Sequence, residues 1–117
     1  MNIKELVKEA HENAVKHGFW EDWKTYDMED VTYDNVSSIK KEFNNGVGNM
    51  LMLIVSEAAE AQDGLRHDNI DNFKEELADV AIRLADLCGG LEIDLEDEII
   101  KKMEKNKVRP YKHGKEF

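Results

Sequence analysis

Cysteine and proline are almost missing from this chain. The single cysteine, Cys88, has no partner for an intrachain disulfide, and inside a helical pattern it reads as a small core residue. The single proline, Pro110, bars regular helix from continuing past it. Long apolar runs are also lacking. The longest, Met50 to Val55, has six residues, too few to cross a bilayer, so no membrane partner is expected. Met1-Asn2-Ile3-Lys4-Glu5 has no apolar signal region, which makes the cytoplasm the expected location. Positive charge is scarce as well: 16 Lys and Arg stand against 26 Asp and Glu, a net charge of −10. That balance argues against a general nucleic-acid binder, which needs clustered basic residues to neutralise phosphates. No repeat or low-complexity tract breaks up the 117 residues, so one domain with a single core is expected.

What the chain does have is helical periodicity. Ile3, Leu6, Val7, Ala10, Ala14 and Val15 form one apolar side of a helix from Ile3 to about His17, which Gly18 would end. A segment without clear period follows to Val36, read as loop with a short helical turn. A long second helix is expected to start between Ser37 and Gly48 and to run to about Arg66, with Gly46 and Gly48 weakening its first turns. Its run Met50-Leu51-Met52-Leu53-Ile54-Val55 is apolar on every side, the mark of a helix buried all round. The third helix starts near Asp68 to Ile70 and continues to about Leu91 along the stripe Phe73, Leu77, Val80, Leu84, Leu87 and Leu91. Gly89-Gly90 either ends it early or permits close packing. A fourth opens at Asp94, with Asp97 three residues on in a variant capping box, and extends to about Lys105 or Lys107. The fold class is therefore all-α, an antiparallel bundle of four main helices.

Two mirrored acidic motifs organise its centre. Glu57 and Glu60 precede the turn-rich Gly64-Leu65-Arg66-His67-Asp68-Asn69, and Glu76 and Asp79 follow it. With the turn near Asp68, Glu60 and Glu76 lie at one height and Glu57 and Asp79 at another, roughly 12 and 16 Å from the turn. An antiparallel hairpin brings all four carboxylates together beside apolar stripes. Such a cluster must be protonated, paired or bound to a cation, and only Arg66, Lys74 and Arg83 lie nearby to pair it. Carboxylate oxygens suit Mg²⁺, with Mn²⁺ as a second choice, and Mg²⁺ commonly adds substrate phosphates to its shell. The competing reading is a solvated acidic helix face. Glu75 points about 100° away from Glu76 and is left outside the site.

The C-terminal end is basic. Lys101, Lys102, Lys105, Lys107, Arg109, Lys112 and Lys115 face only Glu104 and Glu116 there. Lys102, Asn106 and Arg109 share one face if the fourth helix persists that far, and together they suit polyphosphate oxygens. The alternative is a solvated basic helix end that complements the helix dipole. Trp20 and Trp23 are at helical spacing. They either cap a core or offer a stacking surface to a nucleobase, Trp20 being the candidate, and a stacked base would be bound with little selectivity.

With these residues in view, the chain resembles a known family. Glu57-x-x-Glu60, fifteen residues, then Glu76-x-x-Asp79 looks like the metal signature of the all-α nucleoside triphosphate pyrophosphohydrolases. The closing stretch from Lys102 through Asn106, Arg109-Pro110, His113-Gly114 and Phe117 is similar to the end of MazG-like members. So are His11-Glu12-Asn13-Ala14 and Gly18-Phe19-Trp20 near the start. The resemblance implies Mg²⁺ held by Glu57, Glu60, Glu76 and Asp79, with Lys102, Asn106 and Arg109 on phosphates. It implies hydrolysis of a (deoxy)nucleoside triphosphate between the α and β phosphates, giving the monophosphate and pyrophosphate. Glu60 and Glu57 are the candidates for accepting the water's proton. It also implies a homo-dimer or homo-tetramer, tetramer favoured, with sites completed across subunits. The apolar run from Met50 independently favours an oligomer, being hard to cover in a small monomer.

Two rivals come from other classes. A carboxylate-bridged redox di-metal bundle would use Glu-x-x-His motifs, yet His11, His17, His67 and His113 all lie outside the acidic pairs. The other is a non-catalytic adaptor or nucleotide-binding protein of the same fold.

Overall fold

Helix α1, Ile3–Lys16, begins on an Asn2 cap whose side chain accepts the Glu5 amide hydrogen at 2.8 Å. The computed structural model describes residues 1–110; Lys112, His113, Gly114, Lys115 and Phe117 lie outside them. Gly18 follows the helix with φ of +83°, the left-handed conformation that lets the chain turn away without a Cβ penalty. The next segment holds a single 3₁₀ turn, Met28–Asp30. Then come α2, Val36–Arg66, α3, Ile70–Gly90, and α4, Leu95–Lys107. No strand occurs among the described residues.

Helix α2 starts one residue before the expected window and passes unbroken through Gly46 and Gly48. At Gly46 the Trp23 ring packs where a Cβ would stand, so tertiary packing there compensates for poor helix propensity. The α2–α3 reversal pivots on Asp68 at φ 53°, a conformation Asp tolerates better than most residues. Asn69 caps α3 through the Asn72 amide at 3.1 Å, and Asp94 caps α4 through the Asp97 amide at 3.0 Å.

Helix α3 is the centre of the arrangement. Helix α2 packs along it as the other arm of the hairpin, α1 packs along it too, and α4 makes a small contact with α1. The four helices thus form a three-helix layer with α4 at its edge. Small residues hold the layer together: Ala10 and Ala14 of α1, Ala61 and Gly64 of α2, and Ala85 and Cys88 of α3, with Leu87 the one large buried residue among those described. Gly89 and Gly90 belong to α3, and they serve close packing rather than an early end. A Cβ at Gly89 would press on His11, and one at Gly90 would collide with the Trp20 ring.

The run expected to be buried all round is not buried within one chain. Leu51, Met52, Leu53 and Val55 are all exposed, Met52 by 62%. Among the described residues no large side chain is fully enclosed, and the radius of gyration is 17.8 Å. A compact chain of this length would have about 13 Å.

Candidate functional site

The hairpin turn sets the register of the acidic residues. Glu57 on α2 and Glu76 and Asp79 on α3 bring one carboxylate oxygen each to within 4.8 Å of one another. Glu60 stands beside Glu57 and Glu76, near enough to act on both, but outside that three-way cluster. Four acids were expected to converge on one point; three do so, with Glu60 at their margin. Glu60 is one helical turn nearer the α2 end and remains exposed.

Arg83 modifies the charge balance. Its Nε donates to Glu57 Oε1 at 2.7 Å, and this guanidinium is the first cause holding the Glu57 carboxyl below its ordinary range. The hydrogen of a protonated Glu76 is the second. Glu76 moves the other way, pushed up to about 7. The leading cause is the hydrogen bond its protonated form donates to Glu57, followed by desolvation and the nearby Glu60 charge. Glu76 Oε2 is sealed from solvent and has no hydrogen-bond partner among the described residues. A buried carboxylate oxygen without a donor is costly, so a proton or a cation must serve it.

The residues fit a hard divalent ion. Mg²⁺ holds its oxygens at about 2.0–2.1 Å, which sets ligand oxygens roughly 3 to 4 Å apart. Three oxygens within 4.8 Å reach that spacing by small side-chain rotations. All are carboxylates, the donor class such ions prefer.

A cleft of about 360 Å³ opens beside the cluster, within the size range of small-molecule sites. Glu57, Asp79 and Arg83 line one part of it, Trp20 and Asp86 another, and Met50 and Leu53 of α2 contribute apolar wall. Trp20 Nε1 donates to Asp86 Oδ1 at 2.8 Å. His11 Nδ1 meets the same oxygen at 3.0 Å, and with Asp86 as acceptor that nitrogen carries the hydrogen. The His11 and Trp20 rings stand edge to face, as do Trp20 and Trp23, and Trp23 and Phe43. This file of rings runs from α1 to the first half of α2.

No family model, curated protein or solved structure matches the chain. The resemblance described above is therefore carried by the quoted residues.

The basic residues stand apart from this site. Lys102 and Asn106 lie on exposed positions of α4, and none of the cleft's lining comes from that helix. The helix stops at Lys107, within its expected bounds and two residues short of Arg109, so it does not persist far enough to put the three on one helical face. Conversely, Arg83, one of the three basic residues expected near enough to pair the acids, lines the cleft, and so does Asp86, which the spacing had not assigned to the site. A signal for them existed: Arg83 and Asp86 follow Asp79 by four and seven residues, placing all three on one side of α3. Nothing in the spacing alone said that α1 and Trp20 would close over that side.

Proposed function

We propose that the chain is a divalent-cation-dependent hydrolase of (deoxy)nucleoside triphosphates, releasing the monophosphate and pyrophosphate. The observation that carries this reading is the sealed, partnerless Glu76 Oε2 inside a three-carboxylate cluster at the edge of a ligand-sized cleft. The cleavage position follows from the resemblance to the MazG-like pyrophosphohydrolases.

In this reading Glu57, Glu76 and Asp79 hold the ion. A bound Mg²⁺ would supply a Lewis acid to phosphoryl oxygens and neutralise charge that develops as the anhydride breaks. Arg83 keeps Glu57 ionised and oriented through its 2.7 Å bond. Glu60, exposed and free of the three-way cluster, is the carboxylate left to accept a proton from the attacking water. Water's oxygen bonds to the α phosphorus as its proton passes to Glu60, the bridging P–O bond breaks, and its electron pair leaves with the departing pyrophosphate. The indole of Trp20 forms a wall for the base, which favours several bases over one.

The same reading takes the protein as a homo-oligomer, tetramer ahead of dimer. The exposed apolar face of α2 and the lack of any enclosed large side chain among the described residues support it. Lys102, Asn106 and Arg109 then reach phosphates from a neighbouring copy, since none of the three lines the cleft.

One observation favours a second reading. The Arg83–Glu57 pair neutralises one of the three acids without any metal, as a non-catalytic nucleotide-binding protein would permit. Pyrophosphate release from a panel of nucleoside triphosphates, with Mg²⁺ and with excess chelator, separates the two. Release that depends on Mg²⁺ supports the hydrolase. Nucleotide binding without release from any of the panel supports the binding protein.

A further inference from the structure

Asp86 joins three features that the proposed chemistry does not use. It lines the cleft, its Oδ1 accepts the Trp20 indole hydrogen at 2.8 Å, and the same atom meets His11 Nδ1 at 3.0 Å. Trp20 is also confined on its other sides. Its six-membered ring lies against Gly90, where any side chain would collide, and it meets His11 and Trp23 edge to face, at centroid distances of 5.0 and 5.3 Å. An indole held only by apolar contacts could slide or flip within such a slot. A hydrogen bond to a carboxylate fixes which edge points into α3 and therefore which part of the ring is offered to the cleft.

We propose that Asp86 is a positioning residue that locks Trp20 as the binding wall for a planar nucleobase, with His11 holding Asp86 in place. The ligand class rests on the nucleotide reading above. The positioning itself rests on the geometry of α1, α3 and the segment that follows α1. Carboxylate geometry explains the choice of residue. One oxygen accepts two donors at once, from elements that the chain separates by 66 and 75 residues. An aliphatic side chain at this place would leave both the indole N–H and the imidazole N–H without a partner in a half-buried site.

The test uses the full chain carrying Trp23→Phe, which keeps an aromatic ring against Trp20 and Phe43 and leaves Trp20 as the sole indole. Acrylamide quenching and anisotropy then report on Trp20, and calorimetry without metal gives Kd for AMP, CMP, GMP and UMP. In Asp86→Ala we expect easier quenching, lower anisotropy and a Kd raised roughly tenfold for all four, the loss of one charge-assisted hydrogen bond. Asp86→Asn keeps an acceptor oxygen for the indole and should return Kd to within about threefold of the parent. For triphosphates, KM should rise more than kcat falls. If Asp86→Ala does not fold, Gly90→Ala displaces the indole from its other side and should raise the same four constants. Unchanged quenching in Asp86→Ala overturns the lock. Easier quenching with unchanged Kd overturns the wall, as does a parent that binds none of the monophosphates. Apart from the triphosphate KM and kcat, none of these readouts requires turnover. A protein that releases no pyrophosphate but shows the expected quenching and Kd would thus sink the hydrolase while leaving this inference standing.

Discussion

At Glu76 two demands oppose each other: the sealed oxygen needs a proton or a cation, and the ordinary state of a carboxylate at neutral pH supplies neither. Its pKa is raised from 4.5 to about 7, so between those values the folded chain binds a proton that the unfolded chain does not. Stability from this group is therefore full below about 4.5, declines as pH rises toward 7, and stays lost above it. Melting temperatures of metal-free protein should show that decline, and Glu76→Gln should flatten it. Added Mg²⁺ should raise the melting temperature most above pH 7, where the carboxylate is free to bind. A variant with the parent's pH slope would show that another group is responsible. Glu57 has the opposite sign, since Arg83 depresses its pKa and its contribution is lost as pH falls. The neighbours Glu60 and Asp79 should differ in a telling way. Asp79→Asn should remove both turnover and the Mg²⁺-induced rise in melting temperature. Glu60→Gln should cost turnover by roughly 100-fold or more and leave the Mg²⁺ response in place. Loss of the Mg²⁺ response in both would put Glu60 among the ligands.

At the scale of helices, much of the order was readable and the exceptions have physical causes. The acidic pairs were legible because a hairpin is symmetrical about its turn, and Asp68 at φ 53° is that turn. The caps of α3 and α4 were legible because Asn69 and Asp94 bond to amides three residues on. The start of α2 was not. Asn35 precedes it, but that side chain is taken up by Thr32 and the carbonyl of Asp30 and caps nothing in the helix. Gly46 and Gly48 of α2 looked like breakers because the Trp23 ring that covers Gly46 comes from a segment without period. The cleft was half legible. Its acids share one hairpin, whereas Asp86, His11 and Trp20 meet only through packing of α1 on α3. Arg109, two residues past the end of α4, is tested by Arg109→Ala. Triphosphate affinity should fall roughly tenfold, the value of one charge-assisted contact, with monophosphate affinity unchanged. Equal losses for both ligands would place Arg109 away from the departing phosphates.

For the molecule as a whole, the exposed apolar side of α2 is the main consequence of so small an interior. A second copy lying against it would bury Met52 and Val55, now 62% and 54% exposed. Met52→Glu should therefore shift the mass measured by light scattering toward that of one chain. An unaltered mass, or a parent already of single-chain mass, would rule that face out. Cys88 offers a different use. It is the sole thiol, it is 5% exposed, and burial pushes its pKa up. Alkylating reagents attack the thiolate, so Cys88 reacts chiefly when the surrounding helices separate. Its labelling rate is then a clock for that separation, running in the native protein without any residue changed. Every ligand that steadies the layer should slow the clock, whether or not the ligand is turned over.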